Sequence, residues 1–253
     1  MKNHISLSTV ALVIGVIVIM SCKKDSAGST GSVTTATTTV VPDVFKKFNS
    51  TVTVSSDGTY ITLKSDGVPD HKSCYFATSD TRYQAYNGSN TAFSKNPNSI
   101  GTKNYTFKIP ASPAVNAAHA ATPLGPIGIA INGVPIYNQY AAANAPLTNE
   151  INGFDQYNGH PDQSFSYHYH VEPLYITLNN TRSALIGFLL DGFPVYGPLE
   201  NGKTLVSADL DTYHGHTGVT ADYPNGIYHY HVTADAPYIN GSGFYGTKGS
   251  ITQ

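Results

Sequence analysis

The tetrapeptide Tyr-His-Tyr-His occurs twice, at residues 167–170 and 228–231. In an extended strand, side chains alternate between faces, so the two histidines of each copy point one way and the two tyrosines point the other. The Cβ atoms of such a histidine pair lie about 6.6 Å apart, which is two strand steps of about 3.3 Å. Two imidazoles at that separation can bind one metal ion, each at about 2.0–2.1 Å. The pattern therefore predicts two strands that each present a pair of candidate metal ligands.

The tetrapeptide is part of a longer internal repeat. Residues 127–137 return at 186–196 with an offset of 59, and each copy is an apolar strand, an Asn-Gly or Asp-Gly pair and a second strand. Residues 155–160 return at 211–216 with an offset of 56, and the tetrapeptide returns with an offset of 61. Three elements that recur in the same order predict a tandem duplication of a β module.

The composition favours a β fold. The chain of 253 residues contains 18 Tyr, 23 Gly and 15 Pro, which is typical of strands joined by many tight turns. We predict a mainly β protein in which tandem-repeated β-hairpin modules form a β-sandwich-like domain with little helix. Outside the repeats, we predict strands over residues 51–54, 60–64 and 105–109 and one short helix over residues 113–121.

The beginning of the chain resembles a bacterial lipoprotein signal. Lys2 precedes an apolar run at residues 10–20, which is too short to span a membrane, and Cys22 follows it. In such signals the cysteine is acylated and the preceding residues, here 1–21, are removed; a plain secretory signal and an uncleaved anchor are the alternatives. Residues 22–43 are rich in Ser, Thr, Gly and Ala and predict a flexible tether. We therefore expect a protein of the bacterial cell envelope, facing the periplasm or the cell surface, that a lipid on Cys22 anchors to the membrane.

The remaining chain is predicted to divide into three regions. They are an N-terminal β region at 44–124, a first module at 125–183 and a second module at 184–253. Once Cys22 is acylated, Cys74 has no partner, so we expect it to be a buried or a reactive thiol.

Nucleic acid and nucleotides are not expected as partners. Charged residues make up 12% of the chain and the net charge is -2, which gives no basic surface for nucleic acid. Residues 197–204 match the phosphate-loop pattern G-x-x-x-x-G-K-[ST]. That loop requires a buried parallel strand before it and a helix after it, whereas a hairpin precedes these residues and residues 209–218 are too rich in turn formers for a helix. The sequence names no substrate or protein partner.

Each module supplies three histidines at equivalent positions, one in the loop segment and two in the tetrapeptide. They are His160, His168 and His170 in the first module and His216, His229 and His231 in the second. Three imidazoles suit Zn²⁺, Cu²⁺, Ni²⁺ or Fe²⁺, and the sequence does not choose among these ions. The histidines form either two sites or one shared site. The alternative to a metal is a polar core in which the histidines stack on tyrosines and form hydrogen bonds.

Carboxylates commonly orient metal-bound imidazoles from behind. Asp155 and Asp211 precede the loop histidines by five residues, and Glu172 follows the first tetrapeptide, so these are candidates for that role. His214 is an additional histidine of the second module, at the position that Asn158 occupies in the first.

Four further polar residues are interpreted as structural. His71 and His119 are isolated, and His71 is the better outside candidate for a ligand. Asn132 and Asp191 each precede a glycine and are predicted to take the first position of a two-residue turn, where Asn and Asp tolerate positive φ.

Three other segments accompany the tetrapeptides. They are Gly-Val-Pro-Asp-His at 67–71, Asp-Gly-Phe-Pro-Val-Tyr-Gly-Pro at 191–198, and a C-terminal block with His-Gly-His at 214–216, Pro237, Tyr238 and Gly246. Together these motifs resemble the YHYH-domain family of exported bacterial and eukaryotic proteins over roughly residues 50–246. The resemblance implies an exported, β-rich domain and no settled activity. Many members of that family carry cysteines at the position of Tyr213 and near Gly243; this chain has neither, so the disulfide that the resemblance implies is absent.

Three functions fit these observations. The first is a metal-binding envelope lipoprotein for capture, buffering or sensing, which would bind metal tightly without turnover. The second is an extracytoplasmic metalloenzyme, an oxidase or hydrolase, which needs an open coordination position and a nearby acid or base such as Asp155, Asp211 or His214. The third is a non-catalytic module that binds a glycan or a protein through exposed tyrosines.

Overall fold

The computed structural model describes residues 39–241 and 243–253. The predicted signal and most of the predicted tether, with Cys22, lie outside the described residues. Within the described part of the chain, no helix is both long enough and apolar enough to cross a bilayer.

Two main sheets account for most of the described secondary structure, which confirms the prediction of a mainly β protein. The first is antiparallel, with the order β1-β2-β3-β14, and contains β1 (Thr53–Ser56), β2 (Tyr60–Ser65), β3 (Tyr105–Pro110) and β14 (Ser250–Thr252). The second is an eight-stranded mixed sheet with the order β12-β13-β9-β8-β4-β5-β7-β6. Its strands are β4 (Pro126–Ala130), β5 (Pro135–Tyr137), β6 (Gly159–Pro161), β7 (Tyr167–Tyr169), β8 (Leu185–Leu189), β9 (Pro194–Tyr196), β12 (Gly215–Gly218) and β13 (Ile227–His231).

The remaining elements are short. A hairpin pairs β10 (Leu199–Glu200) with β11 (Lys203–Thr204). Helix α1 (Leu174–Asn179) lies near the end of the first module, and 3-10 turns occur at Asp43–Lys47, Ala142–Asn144, Glu150–Gly153 and Ser207–Asp209.

The duplication appears in the eight-stranded sheet as an approximate two-fold arrangement. The central antiparallel pair β4–β8 matches Gly128 with Leu189 and Ala130 with Gly187. Gly187 and Leu189 are the repeat counterparts of Gly128 and Ala130. Each of these residues therefore pairs with the counterpart of the other, as expected for two modules related by an approximate two-fold axis. Each module continues outward with a hairpin and then a parallel pair, β5 with β7 and β9 with β13. The two tetrapeptide strands therefore lie near opposite edges of one sheet.

The two sheets share one hydrophobic core, as the predicted sandwich-like arrangement requires. Ile61 and Phe107 of the four-stranded sheet belong to the same buried cluster as Ile129, Phe188 and Val195 of the eight-stranded sheet. Strand β14 returns the end of the chain to β3. The C-terminal part of the predicted second module thus completes the sheet of the N-terminal region.

The predicted helix over residues 113–121 is wrong. This segment is extended with one turn, and Val115 forms a bridge with Gly246. The Phe244 N–H donates to the Ala120 carbonyl at 2.9 Å. The backbone of this segment is therefore bonded to the C-terminal segment, which outweighs the helical preference of its alanines.

The predicted turns at Asn132 and Asp191 also differ. Positive φ occurs at the glycines that follow, Gly133 (φ +87°) and Gly192 (φ +83°), and Asn132 and Asp191 themselves do not have positive φ. The Gly133 N–H donates to the Ala130 carbonyl at 2.8 Å, so each turn is one residue longer than a two-residue hairpin loop.

Candidate metal centres

Strands β6 and β7 bring the three histidines of the first module together. His160 pairs with His168 across the two strands, so the histidine expected in a loop lies on an edge strand. The strand alternation places His170 on the same face as His168. The Nε2 atoms of His168 and His170 are 3.0 Å apart, and all three imidazoles are buried.

Strands β12 and β13 repeat this arrangement in the second module. His216 pairs with His229 across the strands, and His216 Nε2 lies 3.2 Å from His231 Nε2. His229 and His231 are buried. The structure thus brings the six predicted histidines into two groups of three, one near each edge of the sheet.

A glutamate completes each group, and neither glutamate was predicted from the sequence. Glu150 Oε1 lies 3.1 Å from His160 Nε2 and 3.8 Å from His170 Nε2. Glu200 lies 3.2 Å from His216 Nε2 through Oε2 and 3.3 Å from His229 Nε2 through Oε1. The candidate ligand atoms of each group lie within 4.8 Å of one another, so each group could hold a metal ion. We call Glu150, His160, His168 and His170 the first centre, and Glu200, His216, His229 and His231 the second centre.

The tetrapeptide imidazoles of the first centre are fixed by backbone carbonyl groups. His168 Nδ1 lies 2.9 Å from the Ser166 carbonyl oxygen, and His170 Nδ1 lies 2.6 Å from that of Asn138. A carbonyl oxygen only accepts, so Nδ1 carries the proton in both rings. In the neutral imidazole, Nε2 then has a free lone pair, as a metal ligand requires.

The second centre has the same anchors at the repeat-equivalent positions. His229 Nδ1 lies 3.0 Å from the Ile227 carbonyl oxygen, and His231 Nδ1 lies 2.8 Å from that of Gly197. The lone pairs of His229 and His231 therefore also point into the group with Glu200.

Burial keeps these imidazoles neutral. Burial, with a smaller contribution from the neighbouring histidines, holds the pKa of His168 well below its ordinary value. Burial lowers the pKa of His170 to about 4 and that of His231 to about 4. Burial opposes ionisation of Glu150, but its contact with His160 outweighs burial and lowers the pKa of that carboxyl. The pKa shifts therefore favour neutral tetrapeptide imidazoles in both centres and an ionised Glu150 in the first.

His160 is held differently from its tetrapeptide partners. Its Nδ1 lies 3.3 Å from the amide nitrogen of Asn96, which also donates to the Pro161 carbonyl. Its buried Nε2 lies 3.1 Å from Glu150 Oε1. Because the Asn96 amide donates to Nδ1, the neutral ring carries its proton on Nε2. A cation bound at Nε2 would require that proton to leave Nε2 and the Asn96 contact to rearrange.

The match to a family model covers residues 106–206 and 200–243, which is more than half of the chain, and the family is described as YHYH protein. The chain belongs to the YHYH protein family. No curated protein and no solved structure matches the chain.

The Gly-Val-Pro-Asp-His segment of this YHYH protein lies on the tyrosine side of the first tetrapeptide. His71 Nε2 is 3.0 Å from the Tyr169 hydroxyl, and the Asn132 amide donates to the same hydroxyl at 3.1 Å. His71 is buried, and burial lowers its pKa. The structure therefore places His71 in a network that fixes Tyr169 and leaves it outside the first centre.

Asp155 and Asp211 also lie on the tyrosine side. Asp155 accepts a hydrogen bond from the Tyr167 hydroxyl at 2.8 Å, and Asp211 accepts one from the Tyr228 hydroxyl at 2.9 Å. Both carboxylates also accept from backbone N–H groups of their own turns, including that of Gly215. None of their hydrogen bonds among the described residues reaches an imidazole of either centre. The expectation that they orient the histidines is replaced by a role in fixing the tyrosines.

His214 and Glu172 are likewise outside the centres. His214 has φ +75° in the turn before β12, and its Nε2 lies 3.0 Å from the Thr233 hydroxyl. Burial lowers the pKa of His214 to about 4. Glu172 forms an ion pair with Arg182 at 3.0 Å.

Close approach of a tyrosine ring on the neighbouring strand requires glycine at Gly159 and Gly215, each of which directly precedes an edge-strand histidine. A Cβ atom on Gly159 would lie 2.3 Å from the Tyr167 ring, and one on Gly215 would lie 2.6 Å from the Tyr228 ring. The tyrosine of the neighbouring strand occupies the space that a side chain would fill, and this packing sets the position of the histidine that follows.

Tyr213, where the family resemblance implied a cysteine, is held without a disulfide. Its ring stacks on that of His119 at 4.2 Å between centroids, and its carbonyl accepts from the Gly241 N–H at 3.2 Å. This accounts for His119 as a packing residue. Cys74 is a buried free thiol, and burial raises its pKa to about 11.

Residues 197–204, which match the phosphate-loop pattern, contain the β10–β11 hairpin with its turn at Asn201 and Gly202. The strand, loop and helix of a phosphate loop are not formed here. The hairpin instead carries Glu200 of the second centre.

Proposed function

We propose that this YHYH protein binds two divalent transition-metal ions, one at each three-histidine, one-glutamate centre. The observation that carries the proposal is the crowding of lone pairs. His168 Nε2 and His170 Nε2 are 3.0 Å apart although both rings carry their proton on Nδ1. Two ligand atoms bound to one tetrahedral ion at about 2.05 Å are about 3.3 Å apart. The distance between the two Nε2 atoms is therefore close to the distance between two ligands of the same cation.

The donor set suits Zn²⁺, Cu²⁺, Ni²⁺ or Fe²⁺. Imidazole nitrogen suits all of these ions, and one carboxylate lowers the net charge of the site. The backbone carbonyls of Ser166, Asn138, Ile227 and Gly197 supply the outer hydrogen bonds that metal-bound imidazoles usually have.

The tyrosine-surface function is less well supported. The four tetrapeptide tyrosines are buried, and their hydroxyl groups bond to internal partners such as Asp155 and Asp191. They therefore do not form the exposed aromatic surface that recognition of a glycan or protein would need.

The test is the metal content of the protein, purified without a metal-binding tag and challenged separately with Zn²⁺, Cu²⁺ and Fe²⁺. We expect about two ions per chain, one ion after H168A/H170A or H229A/H231A, and none after all four substitutions. His119→Ala is the control, because this histidine belongs to neither centre, and circular dichroism checks the fold of each variant. A wild-type protein that takes up none of the three metals would overturn the proposal.

We further propose that the protein is a lipoprotein of the bacterial cell envelope, anchored through Cys22. The support is the sequence of Lys2, the apolar run at residues 10–20 and the cysteine that follows. Labelled palmitate should enter the wild type and a Cys74→Ser variant, since Cys74 is buried, and should not enter a Cys22→Ser variant. Equal labelling of the Cys22→Ser variant would contradict this anchor.

A further inference from the structure

The two centres are equivalent in ligands but not in surroundings. We propose that the second centre leaves a fifth coordination position, beyond its four protein ligands, open to a small carboxylate-bearing molecule from an adjoining cavity, whereas the first centre is closed. This inference rests on the proposed function, because it requires a metal ion at each centre.

Exposure separates the two edge-strand histidines. The side chain of His160 is 5% exposed, and that of its counterpart His216 is 34% exposed. Asn96, from the N-terminal region, reaches Nδ1 of His160, and Phe154 packs on the His160 ring at 4.8 Å between centroids. At His216, the polar partners within reach among the described residues are members of the centre itself.

The two centres also differ in how the tyrosine that ends the adjacent strand, β5 or β9, packs against a histidine ring. Tyr137 stacks on His168, with ring centroids 3.8 Å apart and an interplanar angle of 16°. Its repeat counterpart Tyr196 stands edge-on to His229, with centroids 5.4 Å apart and an angle of 82°. The Tyr196 hydroxyl bonds to Asp222, which holds the ring in that position. The face of His229 that corresponds to the covered face of His168 is therefore not stacked by this ring.

A cavity of about 580 Å³ adjoins the second centre at this point and is lined by Glu200, His229 and His231. Its size is within the range of small-molecule sites. A larger cavity of about 810 Å³ borders the first centre, but of the four ligand residues it reaches only Glu150 and His160. The tetrapeptide histidines of the first centre lie behind Tyr137 and Phe154.

The charges at the cavity favour an anionic ligand. Lys47 and Asp222 of the lining form an ion pair with each other, so they neutralise each other. A divalent ion with Glu200 would leave one net positive charge at the inner end of the cavity. The wall offers hydroxyl and amide groups for the rest of a small molecule, from Asn180, Thr181, Ser183, Asn201 and Thr220. A carboxylate on the metal, with a short polar body against this wall, matches both features.

The test uses Co²⁺ in two full-length variants, H168A/H170A, which retains the second centre, and H229A/H231A, which retains the first. Visible absorption of Co²⁺ reports its coordination, and acetate is the probe, with acetamide as the uncharged match. We expect acetate to change the spectrum of the second centre saturably, with little effect of acetamide, and to leave the spectrum of the first centre unchanged.

A cavity variant separates this binding from a general effect of acetate. Val219 is exposed and lines the cavity, so Val219→Trp should weaken acetate binding at the second centre at least tenfold. Val206 is also exposed but does not line the cavity, and Val206→Trp should leave binding unchanged. Cobalt spectra that do not respond to acetate, or that respond equally at both centres, would overturn this inference alone. Failure of cobalt, Zn²⁺, Cu²⁺ and Fe²⁺ to bind would overturn the proposed function as well.

Discussion

His168 and His170 direct the lone pairs of their Nε2 atoms at each other across 3.0 Å. The Ser166 and Asn138 carbonyls fix the protons on the opposite ring nitrogens, and burial prevents either ring from gaining a second proton near neutral pH. Without a cation, the folded protein therefore holds two acceptor atoms in unfavourable contact, and this contact lowers the free energy of unfolding. A bound ion would convert this repulsion into two bonds.

Removal of metal should lower the melting temperature. With free Zn²⁺ a thousandfold above its dissociation constant, binding at one centre stabilises the folded state by about 4 kcal/mol. For a domain of this size, that corresponds to roughly 10 °C. Scanning calorimetry with Zn²⁺ and with excess chelator measures the difference, and the variant H168A/H170A/H229A/H231A is the control that should show none. Identical melting of the wild type in both conditions would contradict metal binding at either centre.

The two glutamates should act separately. Glu150→Gln removes the negative charge of the first centre and should weaken Zn²⁺ there by roughly tenfold or more, since even changes of outer partners have effects of this size. Glu200→Gln should do the same at the second centre alone. Competition titrations with a chromophoric chelator resolve the two affinities. Glu172→Gln is the matched control, because this carboxylate pairs with Arg182 outside both centres; an equal loss of affinity there would show that general charge, and not ligation, is responsible.

The histidines could be predicted from the sequence because their arrangement follows from local rules. The two-residue spacing places His168 with His170, and the repeat extends this to the second module. The glutamates could not be found in this way, since they reach the centres from segments of different length. Glu200 follows strand β9 by four residues, whereas Glu150 follows strand β5 after a long loop with its own 3-10 turn, so the repeat does not align them.

Other differences have tertiary causes. Asp155 and Asp211 each precede an edge-strand histidine by five residues, with a turn in between. That turn directs both carboxylates to the tyrosine hydroxyl groups of the neighbouring strand. The segment 113–121 is extended because its backbone bonds to a segment more than a hundred residues later. Neither contact leaves a local pattern in the sequence.

Gly215→Ala should disturb the second centre without removing a ligand. The added methyl group would lie 2.4 Å from the His229 carbonyl oxygen and 2.6 Å from the Tyr228 ring, so β12 must move away from β13. We expect a loss of about 1–3 kcal/mol in the free energy of unfolding and weaker metal binding at the second centre. Urea denaturation and chelator competition measure the two effects. At Gly153, a Cβ atom would meet nothing closer than 3.7 Å, so Gly153→Ala is the control that should retain the stability; an unchanged stability of Gly215→Ala would contradict the close packing of the two strands.

Asp191 should make the stability depend on pH. It is fully buried and accepts hydrogen bonds from the Tyr230 hydroxyl at 2.6 Å and the Gly246 N–H at 2.9 Å. Burial outweighs these bonds and raises its pKa to about 6, above the value of about 3.9 for an unfolded chain. Between these values the folded state binds more protons than the unfolded state. The contribution of Asp191 to stability is therefore fully present below about pH 4, falls as the pH rises to about 6, and is then constant; the loss is about 3 kcal/mol.

The measurement for Asp191 is urea denaturation from pH 4 to pH 8, with chelator present, of the wild type and Asp191→Asn. Both proteins contain the same buried histidines, whose titration cancels in the difference between the two unfolding free energies. The unfolding free energy of the wild type minus that of Asp191→Asn should fall between pH 4 and pH 6, because the wild type loses stability there, and should then stay level. Asp80→Asn is the control: the hydrogen bonds from Arg82 lower the pKa of Asp80 to about 2, so its contribution should not fall in this range. A level difference for Asp191→Asn from pH 4 to pH 6 would mean that Asp191 is ionised throughout, with the Tyr230 and Gly246 hydrogen bonds outweighing its burial.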